Sequence, residues 1–327
     1  MEKQLQQRLG TAAVLIALLA SALYFGGWLL VLLALIVYAM INWEFYSLNQ
    51  GTNAWYKKVL LTFFGFFACK LIFNNPILSW PLDGSGIFWE KGLLFAFDWG
   101  YDGENYISDR DAVWTKSFKA YTGINLDPEL FFTSLIGLLF LMIICAYYFW
   151  KHRKAEPTIG SIEHAILGLF YTGFLGSLIV RLSASVSDIQ SMLIWLFAVV
   201  ACADTFAYFG GRKFGKHKLA PAISPGKTVE GAIFGLFGAV VASVLVAWLV
   251  FPLKSQSPGS FITTFIVVGL ITGILAILGD LFESLVKRVN GVKDSGKLLP
   301  GHGGLLDRLD AFLFTVPVLL WLVTVVG

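Results

Sequence analysis

Nine apolar runs dominate the chain, at about 10–25, 27–47, 57–75, 130–150, 163–181, 190–210, 231–251, 261–280 and 304–326. A helix needs about twenty apolar residues to cross the hydrocarbon core of a bilayer, and each run meets or approaches that length. A strand with an open edge could not satisfy its backbone groups in lipid, so every run is expected to be helical. The expected fold is therefore all-α: a polytopic membrane protein of about nine transmembrane helices. The 57% hydrophobic and 14% charged content agrees, since soluble domains carry about a quarter charged residues. Met1 to Gly27 shares features with a removable signal peptide, including Ala20-Ser21-Ala22. The apolar run resumes directly after Gly26-Gly27, however, which reads more simply as a hairpin of two spans. Cys69, Cys145 and Cys202 lie in apolar runs with no second cysteine or histidine at ligand spacing, so neither a disulfide framework nor a zinc site is suggested.

Orientation follows from the basic residues. Segments 1–10, 48–58, 151–162, 211–230 and 280–303 hold about sixteen Lys and Arg, against about six in the opposite set of loops. The N-terminus and the loops 211–230 and 280–303 are thus expected on the cytosolic side, where nucleotides and free magnesium are found. The long segment 76–129 is acidic and rich in aromatics, among them Trp80, Trp89, Trp99 and Trp114, and suits an extracytoplasmic, interfacial insert. With no internal repeat and no soluble linker, 1–327 is expected to form one membrane domain.

The chemistry is concentrated in the last third of the chain. If the helix of run 261–280 continues past the bilayer edge, Asp280, Glu283, Ser284, Lys287 and Arg288 share one face, while Leu281, Phe282, Leu285, Val286 and Val289 form the other. Asn290-Gly291 is a plausible helix end. An amphipathic helix in the headgroup region would explain this stripe alone. It would not explain Gly301-His302-Gly303-Gly304, whose amides precede the final helix and can face an anion, nor Asp307 and Asp310 one turn apart. Carboxylates beside an anion-binding turn repel unless a cation lies between them, so a magnesium-type site bridging Asp280 and Asp307 is expected. Taken alone, Asp307 could also be a helix cap, and His302 a loop histidine bound to backbone.

In loop 211–230, Ser224-Pro225-Gly226-Lys227-Thr228 partly resembles a P-loop. That pattern requires a preceding strand and a glycine five positions before Gly226, where Pro221 stands, so the P-loop reading is rejected. Lys227, Ser224 and Thr228 can still meet phosphate in another setting, while Arg212 to Lys218 also reads as ordinary positive-inside topology. Asp204, near the cytosolic end of its run, is costly unless it faces a watery cavity, and is a candidate for lining the nucleotide site. Lys70 reads as a snorkelling or structurally paired lysine.

Together, Ser284-x2-Lys287-Arg288-x4-Lys293-Asp294-x-Gly296-x2-Leu299-Pro300-Gly301-His302-Gly303-Gly304-x2-Asp307-Arg308-x-Asp310 resembles the C-terminal signature of the phosphatidate cytidylyltransferases, or CDP-diacylglycerol synthases. Ser224-Pro225-x-Lys227-Thr228-x-Glu230-Gly231, Gly279-Asp280 and the Asp204 region extend the likeness from about 190 to the end, with a weaker likeness across the first spans. Departures are Gly226 where another lysine is usual, Val229 where an aromatic is common, Ser295 where Phe is expected, and the insert 76–129. The resemblance implies cytidylyl transfer from CTP to phosphatidate, giving CDP-diacylglycerol and pyrophosphate. It further implies Asp280 and Asp307 as the principal Mg2+ ligands, with a second metal ion allowed, and Asp294 and Asp310 in secondary metal or cation contacts. Lys287, Arg288 and Lys293 would hold phosphate groups, with Ser224, Lys227, Thr228, Ser284, His302 and Asp204 on the substrates. A homodimer in a bacterial inner membrane is implied, and no nucleic-acid partner. The rival readings are a transporter of an anionic substrate, disfavoured because the charges lie at one face rather than at the midplane, and an enzyme using CTP on another lipid phosphate or a polyprenol.

Overall fold

The computed structural model describes residues 2–49, 52–72, 160–185, 189–251, 258–299 and 303–326. Helices α1 (Glu2–Phe25), α2 (Gly27–Ser47) and α3 (Trp55–Ile72) come first. After the gap in description follow α4 (Ser161–Gly168), a π-helical stretch (Leu169–Phe174), α5 (Leu175–Ser185) and α6 (Ile189–Phe214). A hairpin of β1 (Lys218–Ala220) and β2 (Ser224–Thr228) leads to α7 (Val229–Val250), α8 (Pro258–Val289) and α9 (Leu306–Val326). The fourth expected run, 130–150, and the insert 76–129 lie outside the described residues. Among those described, five segments are long and apolar enough to cross a membrane, within α2, α4–α5, α6, α7 and α8, while Ala13–Phe25 of α1 is a shorter apolar helix. These are the elements of a helical membrane protein. The hairpin departs from the all-helical expectation. It can do so because Lys218–Thr228 lies in a polar loop, where antiparallel pairing satisfies the backbone without a helix.

Small residues set the distances between the helices. Gly231, Gly235 and Gly238 recur on the face of α7 that lies against α6, where a Cβ at Gly235 would come 3.0 Å from the Ala203 carbonyl and one at Gly238 2.7 Å from Phe206 Cβ. Elsewhere α7 exposes Ile233, Phe237, Leu245 and Leu249, apolar surface suited to lipid. Buried polar ties then lock the bundle. Trp195 Nε1 donates to the Ser243 carbonyl at 3.1 Å and Ser243 Oγ to the Phe265 carbonyl at 2.6 Å, joining α6, α7 and α8.

A second tie fixes α2. The π-helical stretch disrupts the regular ladder of carbonyls, and Asn42 of α2 donates to the Thr172 carbonyl at 3.3 Å while its Oδ1 accepts from Thr172 Oγ1 at 2.9 Å. One turn further on, the Phe45 carbonyl lies 2.9 Å from His164 Nε2 and the two rings stack at 4.5 Å. The C-terminal end of α2 is thereby fastened to α4, at the same end of the bundle as the hairpin and the start of α9.

Candidate active site

Helix α8 runs unbroken through Asp280 to Val289, as the stripe predicts. Leu281, Phe282, Leu285, Val286 and Val289 are all buried against the bundle, which turns the polar stripe toward the neighbouring loops. The helix ends where expected: Gly291 has φ +71°, its N–H donates to the Arg288 carbonyl at 3.0 Å, and Val292 N–H donates to the Lys287 carbonyl at 2.9 Å. This pair of bonds is the Schellman closure, which a residue with a Cβ adopts only under strain. Beyond it, Leu299 and Gly303 exchange backbone hydrogen bonds at 2.9 and 3.2 Å, so the loop folds back before α9 begins. Pro300, Gly301 and His302 lie outside the described residues, and with them the proposed role of His302.

Gly279 decides how closely α8 and α9 approach. A Cβ there would come 2.7 Å from the Asp310 carbonyl and 3.1 Å from Ala311 Cα, so only glycine lets Asp280 and the first turn of α9 sit side by side. Two charge groups result. In the first, Lys227 reaches from β2 to Asp280, Nζ to Oδ2 2.5 Å, and Asp204 of α6 and Asp310 of α9 both lie within electrostatic range of Asp280. In the second, Lys287 Nζ lies between Glu283 Oε2 at 2.5 Å and Asp307 Oδ1 at 2.7 Å, with Glu283 1% exposed. Glu283 Oε1 has no hydrogen-bond partner among the described residues.

This geometry refines the expected site. Asp280 and Asp307 do not pair with one another; each is neutralised by a different lysine. Asp307 also accepts Ser295 N–H at 3.1 and 3.0 Å through its two oxygens and Gly304 N–H at 2.8 Å. Of the two described amides of the glycine turn, Gly304 N–H is therefore held by the protein's own carboxylate and Gly303 N–H by the Leu299 carbonyl, and Asp307 does act on the start of its helix. Thr228 caps α7, its Oγ1 accepting Gly231 N–H at 3.1 Å. Arg288 donates to the carbonyls of Ile223 and Val292 at 3.4 and 3.2 Å, fastening the hairpin turn to the end of α8. Lys293 and Asp294 are exposed at the rim, Ser224 and Ser284 are half-buried, and Gly226-Lys227-Thr228 lies in a paired strand rather than in a phosphate-wrapping loop.

Two residues were absent from the sequence-derived set of site residues. Glu283, although on the polar stripe, is the buried counter-ion of Lys287. Glu44 of α2 accepts Leu306 N–H at 2.8 Å and lies 3.5 Å from Ser295 Oγ. Its signal was available, because Glu44 is the one ionisable carboxylate or basic side chain in the run 27–47, and such a group inside a span calls for a partner.

The loops and helices that converge here, from the hairpin through α9, fall within residues 107–326, which match the model of the cytidylyltransferase family. The chain belongs to the cytidylyltransferase family. Among its relatives, a phosphatidate cytidylyltransferase of Synechocystis sp. is 38% identical over 207 residues, 55% of this chain and 68% of that protein. One of Haemophilus influenzae is 47% identical over 126 residues, 38% of this chain and 43% of its own length. One of Brucella abortus is 41% identical over 189 residues, 57% of this chain and 64% of its own length. As a cytidylyltransferase the chain is a nucleotidyltransferase enzyme, and both lysine–carboxylate groups lie inside the family match. Glu44 lies outside it.

Proposed function

We propose that this enzyme transfers a cytidylyl group from CTP to phosphatidate, releasing pyrophosphate. The observation that carries the reading is the pair of lysines, Lys227 and Lys287, held on acidic partners at one end of an apolar bundle, in a chain whose relatives bear that activity by name. A phosphate oxygen of the lipid attacks the α-phosphorus of CTP, and the bond from that phosphorus to the oxygen of the β-phosphate breaks, so that pyrophosphate leaves with the displaced electron pair. A phosphate dianion is already nucleophilic, so the chain's task is to hold and neutralise charge rather than to supply a strong base. Lys287 and Lys227 neutralise phosphate oxygens, Ser224 and Ser284 orient them, and Lys293 at the rim draws in the triphosphate. Arg288 serves by fixing the hairpin that carries Lys227.

The donors fit a hard divalent cation in their chemistry, being carboxylate oxygens only, although no group of three or more His, Cys, Asp or Glu stands at ligand spacing among the described residues. Lys227 stands near Asp204, Asp280 and Asp310, and Lys287 also faces Asp310, so three carboxylates meet two cations, an excess of negative charge that a magnesium ion would offset. Asp280 would then be a ligand, with Asp307 as a second where Lys287 is engaged by a substrate phosphate, and Asp310 lies within electrostatic range of Asp280. Bound there, the ion would act as a Lewis acid on the phosphoryl oxygens.

The site end of the bundle is assigned to the cytosol by the distribution of Lys and Arg, with nine spans, an inner-membrane location and a homodimer as parts of the same reading. Purified protein in micelles, given labelled CTP, magnesium and a panel of lipid phosphates including polyprenyl phosphate, should convert phosphatidate to a nucleotide lipid with one pyrophosphate per product. Folded protein that labels only the polyprenyl acceptor, or none, would refute the assignment.

A further inference from the structure

Glu44 occupies a place that packing alone does not require. It is 5% exposed, between Phe45, Tyr46 and Ile41 that are wholly buried. A carboxylate in such surroundings costs several kcal/mol unless hydrogen bonds compensate it. Its compensation comes from the far end of the chain: Oε2 accepts Leu306 N–H at 2.8 Å, at the positive end of α9. Oε1 has no hydrogen-bond partner among the described residues, so the carboxylate is committed to α9 on one side only. The active-site loop closes around it. A Cβ at Gly296 would lie 2.6 Å from Oε1, one at Gly304 2.8 Å from Oε2, and the latter would also strike Ser295 Oγ. Ser295 brings a hydroxyl to the same carboxylate at 3.5 Å. The other end of the lever is firm, because α2 is tied to the π-helical stretch through Asn42–Thr172 and to α4 through Phe45–His164.

We propose that Glu44 is a positioning residue for cytidylyl transfer: from a helix outside the family match, it fixes the first turn of α9 and so aims Asp307 and Asp310 at the reacting phosphates. Asp307 restrains the loop from one side through Ser295 and Gly304, and Glu44 restrains the helix start from the other. The role is acceptance of a hydrogen bond at a set position, which glutamine can also provide and leucine cannot. This rests on the cytidylyltransferase reading of the site.

The test uses the full chain in lipid nanodiscs. Glu44→Leu fills the same space and should lose amide-exchange protection across 303–310. It should also raise the magnesium concentration for half-maximal rate severalfold and lower kcat by about tenfold to a hundredfold, the scale on which small misplacement acts. Glu44→Gln should stay within about threefold of wild type in all three, because it keeps an acceptor. A smaller active fraction lowers kcat but cannot move the magnesium requirement, so Glu44→Leu with wild-type protection and magnesium requirement overturns the proposal. Should Glu44→Leu fail to fold, Gly296→Ala displaces the carboxylate by one methyl and removes nothing buried. An unchanged magnesium requirement in that variant is equally fatal. If wild type makes no nucleotide lipid from CTP, the functional reading falls by itself, while amide exchange still decides whether Glu44 holds α9.

Discussion

Replacing Lys287 by methionine separates the two tasks that its ammonium performs. With Nζ at 2.5 Å from Glu283 and 2.7 Å from Asp307, and side chains 13%, 1% and 11% exposed, the trio is shielded from solvent. Removing the cation leaves two carboxylates facing each other with no counter-ion, and breaking a buried pair of this kind costs about 3–5 kcal/mol. Against a total stability of about 5–15 kcal/mol, Lys287→Met should lower the denaturation midpoint measurably and reduce yield. If Lys287 also neutralises phosphate in the transition state, its loss removes a further ~3 kcal/mol from catalysis, about a hundredfold in kcat. The double variant Glu283→Gln/Lys287→Met removes the excess charge as well. It should recover most of the stability while kcat stays down by about a hundredfold, giving a large coupling energy in stability and little in rate. Thermal unfolding in detergent and steady-state pyrophosphate release on the same preparations supply both cycles. A double variant that regains wild-type kcat would show that Lys287 only balances Glu283 and Asp307, and the catalytic assignment would fail.

Asp280→Asn and Asp307→Asn should each abolish magnesium-dependent pyrophosphate release in protein that remains inserted and folded; normal turnover in either would remove that residue from the metal site. Gly279→Ala places a Cβ 2.7 Å from the Asp310 carbonyl and should cost about 1–3 kcal/mol with a loss of activity, whereas Gly259→Ala, with nothing within 4 Å, should leave the melting midpoint unlowered. Thr228→Ala removes the α7 cap and should destabilise by about 1 kcal/mol, read as a lower midpoint with Lys227-dependent activity reduced rather than lost.

The parts of this site that run along one helix were legible before any coordinates. The stripe Asp280, Glu283, Ser284, Lys287 and Arg288 is a matter of helical period, and the helix end at Gly291 needs only one residue able to take positive φ. The limits of α2 and α7 follow equally from runs of apolar residues. What the period does not reveal is the partner. The sequence pointed Asp280 and Asp307 toward a shared ion, and the structure adds a lysine beside each: Lys227, carried in by the hairpin, at Asp280, and Lys287, on α8 itself, at Asp307. Likewise, of the described amides before α9 that read as facing an anion, Gly304 N–H is taken by Asp307 and Gly303 N–H by the Leu299 carbonyl. The hairpin escaped notice because five residues of strand with two glycine or proline positions carry no alternation to read.

Glu44 marks a different kind of limit, one of distance along the chain. A hydrogen bond between residues 262 positions apart leaves no mark on local pattern, except that a lone carboxylate in an apolar span must be satisfied somewhere. The match to the family begins at 107, yet the helix bearing the proposed catalytic aspartates starts on an acceptor from α2. The boundary of the family match is therefore not the boundary of the contacts that hold α9. A fragment beginning at 107 would keep every lysine and aspartate of the site, but would leave Leu306 N–H without Glu44 and the stacked face of His164 without Phe45. On these contacts alone, the N-terminal helices and the signature-bearing helices form one cooperative unit, and the orientation of Asp307 and Asp310 is a property of that whole rather than of the signature.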